Sequence, residues 1–122
     1  MLPRFITKTI HAYLDYPVAL ALVVLPFLLG LGDVNIVAFW LSIVTGIAAF
    51  VLTILTDHHL GVIRVLPYSF HLLVDAAVGV TFVVAPILLA FTGIEFWYYM
   101  ALGLTVLVVV GLHQPEDNAR TV

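Results

Sequence analysis

Four apolar runs, each about twenty residues long, constrain this chain more than any other feature. They cover roughly Ala12–Leu31, Ile36–Thr56, Tyr68–Phe91 and Ile94–Leu112. A hydrocarbon core of about 30 Å is crossed by ~20 helical residues, so each run is long enough to span. Strands fail on physical grounds. Four of them cannot close a barrel, and an open sheet edge in lipid leaves backbone groups unpaired. The expected fold is an all-α membrane protein, a single four-helix transmembrane domain over residues 1–122.

Composition points to the same solvent. Of the 122 residues 64% are hydrophobic and only 9% charged, with a mean hydropathy of +1.23. Soluble domains carry about a quarter charged residues. With no cysteine, disulfides and thiolate metal sites are excluded. A net charge of −3 gives nucleic acid no basic face to bind.

The few cations set an orientation. Arg4 and Lys8 precede the first run, Arg64 lies between the second and third, and Arg120 is near the C-terminus. The opposite loops, GLGDVN and FTGIE, hold Asp33 and Glu95 but no Lys or Arg. The positive-inside rule then makes both termini cytoplasmic. The Ala19-Leu20-Ala21 match to a cleavage site sits inside the first apolar run, so no cleaved leader is expected.

The chain also repeats itself. Residues 11–29 set against 71–89 give eight identities in nineteen positions, including His11 with His71, Asp15 with Asp75 and Pro26 with Pro86. At an offset of 57, Phe39-Trp40 meets Phe96-Trp97 and Gly46 meets Gly103. The pattern predicts two tandem helical hairpins, about 11–59 and about 71–117, related by a pseudo-twofold axis along the membrane normal. Equivalent residues then lie at one depth and can face each other.

In these features the chain resembles the SPW-repeat family of small integral membrane proteins, which are built from two-helix units. Where that family carries Ser-Pro-Trp, this chain reads LPF at 25–27 and API at 85–87, keeping only the prolines. The resemblance covers nearly the whole chain. It implies a bacterial-type inner-membrane protein and no particular activity.

Packing features follow from spacing. Ala38, Ser42 and Gly46 recur every four residues, and Gly103 lies in the fourth run, where small residues let helices approach closely. Pro26 and Pro86 predict paired kinks toward the outer ends of the first and third helices. The FW pairs, extended by Tyr98 and Tyr99, read as an aromatic belt at the outer interface.

Every histidine falls on the cytoplasmic side: His11, His58, His59, His71 and His113, with Asp15, Asp57 and Asp75 among them. At a spacing of four, His11 and Asp15 share a helix face, as do His71 and Asp75. Carboxylates inside an apolar segment generally turn inward and find a partner. Three uses are open. Each aspartate pairs with its own histidine or with Arg64, as a structural floor. Alternatively His11 and His71, with His58 and His113 as further candidates, hold a metal ion or haem, and Asp15, Asp75, Asp57 and Arg64 form the surrounding polar network. In the third, the cluster handles protons or a small solute.

No nucleophile, base and oxyanion donors come together, and no phosphate loop is present, so no enzyme is expected. The first expectation is a structural or accessory subunit acting through lateral helix contacts, with other membrane subunits or a homo-oligomeric copy as partner. A metal- or haem-binding module and a proton or solute transporter are the alternatives.

Overall fold

A computed structural model describes residues 6–56 and 61–113. Five α-helices follow one another among these residues: α1 (Lys8–Leu28), α2 (Leu31–Val34), α3 (Ile36–Leu55), α4 (Tyr68–Leu88) and α5 (Ile94–Gly111). Four of them, all but the single turn α2, are long and apolar enough to cross a bilayer. The described residues contain no β-strand beyond two isolated bridges. The fold is that of an all-α integral membrane protein.

Local chemistry sets the helix ends. The Thr7 side chain accepts from the Ile10 amide and starts α1 a turn earlier than hydropathy alone indicates. Asn35 caps α3 by accepting from the amides of Val37 and Ala38, each at 3.1 Å. At their C-terminal ends α1 and α4 stop at Leu28 and Leu88, about three residues short of the apolar runs. There Gly30 and Ala90 take positive φ, 66° and 54°, which no continuing helix allows. Pro26 and Pro86 are buried two residues before these ends. They therefore shape the final turn and leave little helix beyond them to swing. Pro17 also lies within α1.

α1 packs along α3, and α4 along α5. Glycine makes both contacts close. A Cβ on Gly46 would stand 2.8 Å from the side chains of Leu22 and Val23, and one on Gly103 would stand 2.8 Å from Val83. Gly79 is just as tight against Leu107. Ala38, Ser42 and Gly46 are all buried on α3.

The half of the core remote from the N-termini of α1 and α4 is cross-linked by tyrosine. Tyr99 Oη donates to the Ala38 carbonyl at 2.6 Å, Tyr98 Oη lies 2.6 Å from Ser42 Oγ, and Ser42 Oγ donates to the Leu22 carbonyl at 2.8 Å. This corrects the belt expectation: Tyr98 and Tyr99 are buried, while Trp40 and Trp97 are exposed. Each hydroxyl finds an acceptor inside the bundle, and that outweighs the pull of the interface.

Contacts recur between the two hairpins at the sequence offsets. Ile6 donates its amide to the Leu112 carbonyl at 3.1 Å, and Leu66 donates to the Leu55 carbonyl at 2.9 Å. Phe39 meets Trp40 at 5.1 Å and 85°, and Phe96 meets Trp97 at 5.1 Å and 85°.

Candidate metal centre

Asp15 and Asp75 are each seven residues into their helices, about 10 Å along the axis at 1.5 Å per residue. Each is one turn beyond a histidine on the same face. Because α1 and α4 enter from the same end, the two pairs meet. His11 Nε2 lies 2.7 Å from Asp75 Oδ2 and 3.0 Å from Asp15 Oδ1. His71 Nε2 lies 2.9 Å from Asp15 Oδ2 and 3.1 Å from Asp75 Oδ2. Nitrogen and oxygen alternate around a closed ring of four contacts, and the two histidines are buried.

The aspartates thus bind across the hairpins as well as within them. They touch the same nitrogens that would ligate an ion, so they are not outer acceptors orienting the rings from behind. That outer role falls to Thr56 at the end of α3. Its hydroxyl donates to the Leu52 carbonyl, which uses its one proton, and lies 2.7 Å from His71 Nδ1. Nδ1 must then carry the proton of that contact. In a neutral ring Nε2 is left as a lone pair facing two carboxylate oxygens. Such a contact attracts only when a proton or metal ion lies in it.

Proton supply falls short in the rest of the ring too. Two Nε2 atoms bear at most two protons for four contacts. Asp15 Oδ2 is buried without a hydrogen bond, although it stands 2.9 Å from His71 Nε2. Orphaned buried oxygens of this kind are costly. His11 Nδ1 is likewise buried without a hydrogen-bond partner.

A single ion would use all four groups. One atom from each residue lies within 4.8 Å of the others. Ligands about 2.0–2.1 Å from an ion stand about 2.9 Å apart in a square plane and about 3.3 Å apart in a tetrahedron. The observed contacts, 2.7–3.1 Å, straddle the square-planar spacing and fall short of the tetrahedral one. Haem fits less well, since the two carboxylates fill the space between the histidines that a porphyrin plane needs.

The remaining expected residues fall elsewhere. His113 Nε2 pairs with Tyr68 Oη at 2.8 Å, and its ring centroid is 5.6 Å from that of His11. His113 therefore adjoins the quartet without entering it. Arg64 Nε donates to the Gly61 carbonyl at 3.2 Å, and Asp15 and Asp75 contact the two histidines. Asp57, His58 and His59 lie outside the described residues.

Thr56 and Tyr68 carry no signal of their own in the sequence. A lone Thr at a helix end and a lone Tyr at a helix start are common. Applying the offset of 57 to His113 does single out Thr56 as its counterpart.

No family model matches the chain, and no curated protein or solved structure matches it.

Proposed function

We propose that this small integral membrane protein binds one divalent transition-metal ion through His11, Asp15, His71 and Asp75. The observation that carries the reading is the closed ring of four N···O contacts, 2.7–3.1 Å long, with too few protons to serve it. Two imidazoles and two carboxylates suit zinc, copper(II) or nickel. Two carboxylates balance a divalent charge, which makes an ion tolerable at this depth.

We read the architecture behind this as a pair of tandem hairpins resembling the SPW-repeat kind, with His11 and His71 at equivalent positions. The recurring backbone and ring contacts at offsets of 60 and 57 support the pseudo-twofold arrangement. The arrangement of cations favours cytoplasmic termini, with the site near the inner face of a bacterial-type inner membrane. No catalytic constellation is part of the reading. Lateral partnership with other subunits has no contact of its own to support it, because exposed Leu20, Phe27 and Val44 suit lipid equally well.

Zinc titration of the full chain in lipid nanodiscs, followed by elemental analysis, tests the proposal. One zinc per chain is expected, with affinity at least tenfold lower in His71→Ala and in Asp75→Asn. Binding weakens as pH falls, because protons compete for Nε2. Substoichiometric zinc, or affinity unmoved by both substitutions, overturns the reading in favour of a hydrogen-bonded floor.

A further inference from the structure

A cavity of about 390 Å³ runs from the quartet toward the middle of the helices, walled by all four spans. Small-molecule sites occupy about 300–1,000 Å³, and this one lies inside that range. About a dozen waters at ~30 Å³ each would fit by volume. The walls offer them little. Val18, Leu22, Val44 and Val78 line it, and the Thr53 and Thr105 hydroxyls donate to the Ala49 and Ala101 carbonyls of their own helices.

One end of the chamber is polar and asymmetric. Asp15 meets the histidines with both oxygens, Oδ1 and Oδ2. Asp75 meets both with Oδ2, so among the described residues neither histidine takes its Oδ1, and the side chain lines the chamber. A carboxylate oxygen at the end of an apolar chamber calls for a hydrogen-bond donor. Its charge selects a cationic one, since charge-assisted bonds are the strong ones and intramembrane charges are stable when paired.

We propose that the chamber binds a lipophilic ammonium ion, its apolar body between the hairpins and its N–H on Asp75 Oδ1. The inference deepens the ion-site reading by using the same carboxylate, but it does not require the metal to be bound. In this reading the two oxygens of Asp75 divide the work: Oδ2 meets the histidines and Oδ1 takes the ammonium.

The test is calorimetric titration of the full chain in nanodiscs with n-octylammonium, n-octanol and octanoate, corrected against empty nanodiscs. Saturable one-to-one binding of n-octylammonium is expected, at least tenfold tighter than that of octanol or octanoate. Ala49→Phe and Val106→Phe fill the chamber from two different helices. Each should lower n-octylammonium affinity at least tenfold while zinc stoichiometry stays at one per chain. Equal binding of the three heads, no saturable n-octylammonium binding, or no effect of either filling variant overturns the proposal. Absent zinc binding, together with n-octylammonium binding that the filling variants still block, removes the ion site and leaves the chamber standing.

Discussion

Thr56 bears the most weight for its size. It spends its only proton on Leu52, and this fixes which nitrogen of His71 is left for the quartet. Outer partners of metal-ligating histidines typically contribute 10–100-fold in affinity. Thr56→Val is therefore expected to weaken zinc binding about 10–100-fold with near-normal thermal stability, measured by competition against a chromogenic chelator. Unchanged affinity would mean that the hydroxyl does not set the tautomer. The four quartet residues were legible in the sequence because ionisable groups in an apolar run are rare, and the sixty-residue echo doubled the signal. The partner of each group was not legible. Helical periodicity puts His11 beside Asp15, but only the approach of α1 to α4 decides that His11 also reaches Asp75 at 2.7 Å.

Among elements, α3 and α5 are built around their glycines. Gly46→Leu forces a side chain into Leu22 and Val23, contacts already at 2.8 Å for the Cβ alone. Overpacking of this kind costs about 1–3 kcal/mol. Unfolding in mixed micelles should register that loss for Gly46→Leu, whereas Gly111→Leu, with open space around it, should be neutral. Equal behaviour of the two variants would contradict the close α1–α3 contact. Hydropathy located all four spans to within a turn or so, because twenty apolar residues in a row have few other fates. It missed the single turn α2, set by the left-handed Gly30 and the Asn35 cap rather than by hydrophobicity. It also misplaced Tyr98 and Tyr99. An aromatic ring with a hydroxyl suits an interface or a buried acceptor equally, and only the position of the Ala38 carbonyl and of Ser42 decides between them.

At the scale of the whole molecule, the described residues bring two histidines and two aspartates together toward one end of the bundle, with an apolar chamber behind them. Neither hairpin holds a complete quartet: each supplies one histidine and one aspartate, and the site exists only where the two meet. The most direct measurement is X-ray absorption at the zinc edge on protein loaded with one equivalent of zinc in nanodiscs. The account predicts a first shell of nitrogen and oxygen at about 2.0–2.1 Å that carries the outer scattering of two imidazoles, falling to one in His71→Ala. A first shell showing no imidazole scattering, or imidazole scattering that His71→Ala leaves unchanged, would contradict it.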